Sequence, residues 1–507
     1  MPTENPANES GDNPGAADLP RSEDVVCVLK KQASTQNTYE IIALKKVEQD
    51  GKPPFALRRY SSENAEKVIQ LWNDFGIDGP PVHLQSGIRQ QLHVIVSTHS
   101  GTRLSLQFYK NVLSPLLEAI GLTATEESAQ GGAAQQGSYH LLITQDAESV
   151  KNFAQNLAAG DSGKDDVEHT VVLLSGDGGV VDMLNGYASA EDDDAAKPHS
   201  SPLIALLPLG TGNALYHSLH KTVTGAAAAS DLVQALRTLL RGKAAPLPSF
   251  KAVFPAGSRT ITYSEPSDPA STESASKTPA DSAANLEEQA EYVTHLYGVV
   301  VASYGFHSQL VWESDTPAYR RHGAQRFQMV AQELLKESHQ YHASVEIVRS
   351  TDAGKEAVAV ATEILPRDRH TYVLATPVSN LEKTFCISPA SRPLDGQLRL
   401  VHFGPVDGAK TMEIMMAAYD GGKHVGMRWA GTAEQGQDGG ESEKGEEEEG
   451  VGYDTINEVR IRILEEDPRW RKVCIDGTIV EIPAGGCMVV SKETKRHLRV
   501  LVDESIA

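Results

Sequence analysis

The sequence predicts a chain in three parts: a small α+β extension, an α/β domain on a parallel doubly wound sheet, and a mainly antiparallel β-sandwich domain. Three observations carry this. Four apolar strand-like runs alternate with helix-patterned stretches between Leu92 and Leu240, which is what a parallel sheet with crossover helices requires. Beyond Leu240 the pattern changes to short apolar runs separated by turn residues, as in antiparallel sheets. Ahead of both, three short strands and one amphipathic helix fill Asp24 to Gly79. The expected boundaries are a disordered leader over 1–23, the extension over 24–90, the α/β domain over 91–244 and the β domain over 245–507.

In the extension, Val25–Leu29, Tyr39–Leu44 and Phe55–Leu57 read as strands. Ser61–Phe75 reads as a helix, with Val68, Leu71, Trp72 and Phe75 on one face. A packing extension is the simplest role for this unit. The α/β run begins with the strand Leu92–Val96 and the helix Leu104–Ile120. The strand Tyr139–Thr144 and a helix over Ala147–Ala158 follow, then the strand Thr170–Leu174 with a helix from Val180 to Tyr187. The last pair is the strand Leu203–Leu207 and the helix Ser230–Leu240. In the β region Phe250–Phe254, Tyr297–Ser303, Ser344–Val348, Tyr372–Leu374, Gln397–Val401, Val459–Leu464 and Thr478–Val480 read as strands, and Phe327–Ser338 as the helix that stands out among them. Residues 264–290, rich in Ser, Thr, Pro, Asp and Ala, and the acidic tract 431–451 read as disordered inserts, because neither can bury a core.

A formal charge of −22 excludes a nucleic-acid binder of the usual kind, which needs clustered Lys and Arg. Half of that charge comes from Glu191–Asp194 and from Glu434–Glu449, so the folded body is only mildly acidic. Cys27, Cys386, Cys474 and Cys487 lie far apart with no CxxC spacing. They point to neither a zinc site nor a disulfide framework, and suit a reducing cytosol. The polar N-terminus is not a signal peptide, and no run of 18 apolar residues occurs. A cytoplasmic protein whose membrane contact is peripheral is expected.

The strand ends collect the chemistry. Thr170–Leu174 runs into Ser175-Gly176-Asp177-Gly178-Gly179, and Leu203–Leu207 into Pro208-Leu209-Gly210-Thr211-Gly212-Asn213. Glycines between a strand and a helix let backbone N–H groups approach an anionic ligand. Open α/β sheets place ligands beyond the carboxyl ends of their strands, so Ser97–Thr102 and Thr144 are expected at the same edge. His217, His307 and His322 are scattered and read as ordinary.

Together these loops resemble the diacylglycerol kinase catalytic-domain family, which includes sphingosine and ceramide kinases. Ser175–Gly178 with Asn185-Gly186 is similar to its nucleotide loop, and Pro208–Ala214 to its second one. Tyr304-Gly305-Phe306, Glu313-Ser314-Asp315 and the run Tyr319–Phe327 resemble the sphingosine kinase branch. Arg392–Leu398 and Ile475-Asp476-Gly477 are similar to two later Asp-Gly elements.

The resemblance implies an ATP- and Mg²⁺-dependent kinase of a lipid hydroxyl, working at a membrane surface. It implies Asp177 as general base, and an ATP site of Ser97, Ser100, Gly101, Thr144, Ser175, Gly176, Gly178, Gly179, Asp182, Gly210, Thr211, Gly212, Asn213, Arg320, Arg326 and Asp476. Asp476 and Asp395 are the implied metal carboxylates, and Asp395 reads equally as a turn residue. Gln309, Val311 and Asp315 are the implied substrate positions.

The chain departs from the family at four places. Ser97–Gly101 replaces an Asn-Pro-glycine loop, Gly179 a threonine, and Thr478 a glutamate. Gln309 and Val311 stand where sphingosine kinases carry two acids. An apolar Val311 cannot pair with an ammonium group, so a neutral hydroxy-lipid such as diacylglycerol or ceramide is the expected acceptor. Two alternatives stay open: a catalytically weak binding protein of the same fold, and a nucleotide-cofactor kinase with a similar glycine turn, against which Pro208–Ala214 and Tyr319–Arg321 speak.

Overall fold

The computed structural model describes residues 19–32, 37–47, 54–63, 66–87, 89–101, 103–125, 137–160, 167–193, 200–220, 229–263, 288–323, 325–349, 362–430 and 448–507. The leader through residue 18, most of both inserts, and Thr102 and Ala324 of the quoted motifs lie outside these residues.

The α/β body is a seven-stranded sheet. Its order is Lys243–Pro246, Arg499–Val502, Leu203–Pro208, Glu168–Ser175, Gln90–Val96, Ser138–Ile143 and Thr123–Thr125. All neighbours are parallel except the first pair. The strands read as unbroken apolar runs because both faces are covered. Leu92, Val94 and Val96 face one core with the helix Asp231–Arg241, while Ile95, Val171 and Leu173 face the other with the helices Ser149–Gly160 and Asp177–Asp193. Gln90–Val96 lies between the earlier strand Ser138–Ile143 and the later strand Glu168–Ser175. The strand order therefore reverses at the Gln90–Val96/Glu168–Ser175 pair, which is where such sheets open a ligand crevice.

The range read as the β domain contributes one strand and half of another to this sheet. Arg499–Val502 returns to pair with Leu203–Pro208, and Lys243–Pro246 caps the edge antiparallel to it. Fourteen of the remaining described strands form a second, antiparallel layer, and Arg428–Ala430 and Glu448–Gly450 form a separate pair. The fourteen are linked edge to edge in one ladder rather than as two separate sheets. The expected strand Tyr297–Ser303 is in fact two, His295–Gly298 at one end of the ladder and Ala302–Gly305 in its middle. A three-residue bend joins them, so the ladder must curl back on itself.

Several element boundaries differ from expectation. Ser61–Glu63 extends a strand, and the helix starts at Glu66. The β region holds three further helices, Phe306–Ser314, Pro317–Arg320 and Gly408–Tyr419, besides Gln325–Glu337. Glu288–Tyr292, which overlaps the end of the expected insert 264–290, and Glu448–Gly450, within the expected insert 431–451, are strands paired with Arg259–Tyr263 and Arg428–Ala430. The extension is a four-stranded sheet carrying the helix Glu66–Phe75 on one face. Its other face packs through Val26, Cys27, Ile42 and Leu44 onto the α/β body. The leader's last residues enter the fold as a 3₁₀ turn, Ser22–Asp24, where the Ser22 carbonyl accepts from Arg237 at 2.6 Å.

Candidate active site

Three loops meet at the switch point, and they meet backbone to backbone. The Gly176 N–H donates to Ser100 Oγ at 2.9 Å. A Cβ at Gly176 would stand 2.9 Å from Gly210 Cα, and one at Gly101 2.5 Å from the Leu209 carbonyl oxygen. Gly101, Gly176 and Gly210 are therefore glycines because their loops press on one another. Gly179 is closed by Ser175, whose Oγ lies 2.6 Å from the Cβ position. Among the glycines of these loops that line the crevice, Gly178, with nothing within 4 Å, and Gly212, with the Leu381 carbonyl at 3.4 Å, keep open backbone toward it. Asn213 is left-handed at φ 51°, and its side chain closes the turn onto the Gly210 N–H and carbonyl, both at 3.0 Å.

Behind these loops Thr98 and Thr144 hold each other. Thr98 N–H donates to Thr144 Oγ1 at 3.0 Å, and the Thr98 hydroxyl to the Thr144 carbonyl at 2.9 Å. Ser97, Thr144 and Ser175 are buried. They support the loops from behind and do not line the crevice.

Asp177 opens the helix Asp177–Asp193 and spans the two glycine loops. Its Oδ2 accepts from the Ala214 N–H at 2.7 Å and its Oδ1 from the Leu215 N–H at 3.0 Å. The half-buried carboxylate thus takes the place of an anion at the start of the Ala214–Leu219 helix. Burial raises its pKa above the usual value, and the two amides partly offset the rise. Asp182, one turn further along the same helix, lines the crevice, and burial with the nearby Glu148 pushes its pKa up to about 7.

The facing wall comes from the β layer. Asp476 and Gly477 form a two-residue hairpin turn with φ of 49° and 95°, the mirror-image turn that Asp-Gly favours. This turn aims the Asp476 carboxylate at the bend between the split strands. Its oxygens accept from Val299 N–H at 2.6 Å, Val300 N–H at 3.0 Å and Val301 N–H at 2.5 Å. Burial still dominates and lifts its pKa to about 7, with Asp177 adding a like charge.

Together these walls enclose a crevice of about 490 Å³, well within the usual range for small-ligand sites. Ser100, Gly176, Asp177, Gly178, Asp182, Gly210, Thr211, Gly212, Val311, Asp315, Arg326, Asp476 and Thr478 line it. Asp315 holds both arginines of the Tyr319–Phe327 run. Arg320 approaches it two-pronged at 3.1 and 2.7 Å, and Arg326 Nη1 lies at 3.3 Å. Arg326 reaches the crevice, whereas Arg320 stands behind it.

Two expected site residues lie elsewhere. Asp395 is a turn residue: it accepts from the Arg392 and Gln397 N–H groups at 3.1 and 2.9 Å and pairs with Arg399 at 3.1 Å. It does not line the crevice. An Asp395→Ala variant should melt lower, because Arg399, 11% exposed, loses its carboxylate, while the Mg²⁺ dependence of any ATP turnover stays as it was. Gln309 is 1% exposed, and its amide donates to Glu313 Oε1 at 2.7 Å, away from the crevice. A helix puts positions 307, 311 and 315 on one face, and position 309 falls on the opposite one. That periodicity also brings in His307, which lines the crevice. Phe327, the last residue of the Tyr319–Phe327 run, completes the apolar wall with Cys474 and Leu381; as isolated residues the latter two carry no signal in the sequence.

Among the described residues no three His, Cys, Asp or Glu side chains are grouped as a ready-made metal site, and no helix is long and apolar enough to cross a membrane.

Three solved structures from Bacillus anthracis str. Sterne align with 82% of this chain and 98% of theirs. One is described as a diacylglycerol kinase, at 13% identity and a TM-score of 0.42. Two are provisionally named as such, at 14% and 0.44 and at 13% and 0.43. No curated protein matches the chain. The model of the diacylglycerol kinase catalytic domain matches residues 91–251, the stretch that holds both glycine loops and Asp177. Over those residues the chain is similar to the diacylglycerol kinase catalytic domain.

Proposed function

We propose that this protein transfers the γ-phosphoryl group of ATP to the hydroxyl of a neutral lipid presented at a membrane surface. The observation that carries the reading is Asp177: a half-buried carboxylate, fixed by two amides, in a crevice shared by open glycine backbone and an apolar wall. Phosphoryl transfer relies on positioning and charge neutralisation. Open backbone at Gly178 and Gly212 lets phosphate come close, and Arg326 offers a guanidinium fork across the crevice. Asp177, with its raised pKa, would take the proton from the lipid hydroxyl.

Mg²⁺, when bound, would neutralise phosphate charge; it commonly takes one or two protein carboxylates beside the phosphates. Asp182 and Asp476 are the crevice carboxylates that suit it. Asp476 also acts on its own account, fixing the bend at Val299–Val301 that shapes the wall.

The acceptor follows from the wall. Val311 packs with Ile261, Cys474 and Ile479, and Asp315 is already committed to two arginines. Free sphingoid bases should therefore be poor substrates. Purified protein incubated with labelled ATP and micelles of diacylglycerol, ceramide or sphingosine tests both statements. Faster phosphorylation of sphingosine than of either neutral lipid would overturn the acceptor assignment, and lipid-independent turnover the kinase assignment. The competing reading, a binding protein with little turnover, is favoured by Thr478 lining the crevice where the family carries glutamate. Equal inertness of wild type and Asp177→Asn, with ATP still bound, would establish it.

Two half-buried carboxylates, Asp177 and Asp476, also set a pH dependence. Both hold their proton more tightly folded than unfolded, so each contributes stability below the usual carboxylate pKa. For Asp476 that contribution is lost as pH rises from about 4 through about 7. In melts between about pH 5 and pH 8, Asp476→Asn should gain on wild type with rising pH, whatever its absolute stability. Removing the like charge should also move the acid limb of the wild-type rate profile to lower pH. A constant difference across the range would show that Asp476 keeps an ordinary pKa.

A further inference from the structure

His307, Val311 and Asp315 share one face of the Phe306–Ser314 helix and its C-cap, and all three line the crevice. Asp315 gathers Arg320 and Arg326 at one end. At 1.5 Å rise per residue, His307 stands about 12 Å away along the axis. The stripe thus runs from a cationic end suited to phosphate, through an apolar step, to an imidazole. That imidazole is anchored from behind: its Nδ1 lies 2.7 Å from the Oγ of the fully buried Ser303. The other ring nitrogen, Nε2, has no protein partner among the described residues.

The direction of this bond decides what Nε2 offers. Ser303 is fully buried, and a buried hydroxyl proton needs an acceptor. The ring nitrogen at 2.7 Å supplies it, so the Ser303 hydroxyl donates to His307 Nδ1. Burial lowers the His307 pKa to about 4, which keeps the ring neutral near neutral pH. In that tautomer Nε2 carries the hydrogen.

We propose that His307 recognises the acceptor lipid, its Nε2–H donating to a carbonyl or hydroxyl oxygen next to the hydroxyl that is phosphorylated. The inference rests on the lipid-kinase reading and names the part of the crevice that reads the lipid. A donor at this position favours an ester or amide lipid, and it cannot accept a proton from an ammonium group.

The test uses the full chain with dioctanoylglycerol in detergent micelles, comparing wild type, His307→Leu and His307→Gln. Losing one hydrogen bond to a neutral oxygen should raise the KM for dioctanoylglycerol about five- to tenfold in His307→Leu. The KM for ATP should stay unmoved. His307→Gln, which keeps an N–H donor, should recover most of the loss. An unchanged lipid KM in His307→Leu, or a Gln variant no better than Leu, overturns the proposal. So does a wild type that takes sphingosine as readily as dioctanoylglycerol, since the Ser303–His307 bond would then run the other way. If wild type phosphorylates no lipid, the kinase reading fails separately, and calorimetric binding of dioctanoylglycerol decides the role of His307. Weaker binding by His307→Leu supports it, and equal binding overturns it.

Discussion

Asp177→Asn should lower lipid-dependent turnover by about 10²–10⁴-fold, the usual worth of a positioned base. The reason is double. Asparagine cannot take the lipid proton, and it cannot satisfy both amides that hold the carboxylate. Its carbonyl can accept from either Ala214 or Leu215, but its amide group then faces the other N–H donor. The start of the Ala214–Leu219 helix is thereby left with one unpaired group, and that helix follows directly on the Gly210–Asn213 loop. A moderate rise in the KM for ATP should therefore accompany the loss in kcat. Asp177→Ala, which gives up both acceptors, should show the larger KM effect at a similar kcat. Steady-state rates of ADP release with saturating diacylglycerol measure both. An Asp177→Asn protein with more than about a tenth of wild-type kcat would remove Asp177 from the base role.

Much of this was legible in the sequence, and the parts that were not share a physical cause. The strands Gln90–Val96, Glu168–Ser175 and Leu203–Pro208 read plainly because sheets covered on both faces need continuous apolar runs. The glycine loops read plainly because a strand-to-helix turn gathers so many glycines only where backbone must come close to something. The Phe306–Ser314 helix does not read, since its residues alternate between a crevice, a part-exposed ion-pair cluster and a core, and no single apolar stripe results. The motif alone puts Gln309 with the substrate, and the helical phase carries it to Glu313 instead. The apolar run Tyr297–Ser303 looked like one strand because the bend at Val299–Val301 is held by Asp476, nearly two hundred residues on in the chain. Pairings of that separation leave no mark on local pattern. Asp395 and Asp476 carry the same Asp-Gly signature, and only the surroundings distinguish a turn braced by Arg399 from a carboxylate in the crevice wall.

The sharpest division among like residues is among the glycines, and it gives the second large effect. Gly210→Ala should be severely destabilising, because its Cβ would collide with the Gly176 backbone and also come 2.8 Å from Asn213 Oδ1. Neither neighbour is the free end of a flexible side chain, so the loops must separate. Overpacking of this kind costs about 1–3 kcal/mol and sometimes more. Separation would also break the Gly176 N–H bond to Ser100 and shift Asp177, so ATP binding and turnover should fail together. Gly178→Ala is the control. Its Cβ meets nothing within 4 Å, so the protein should melt near the wild-type temperature. Phosphate approaching the Gly178 backbone would nevertheless meet a methyl group, and the KM for ATP should rise. Melting curves separate the two variants, and ATP titrations show whether each loses binding through the fold or at the surface. Equal melting temperatures would mean that the loops do not pack as described. An unchanged ATP affinity in Gly178→Ala would mean that phosphate approaches from another side of the crevice.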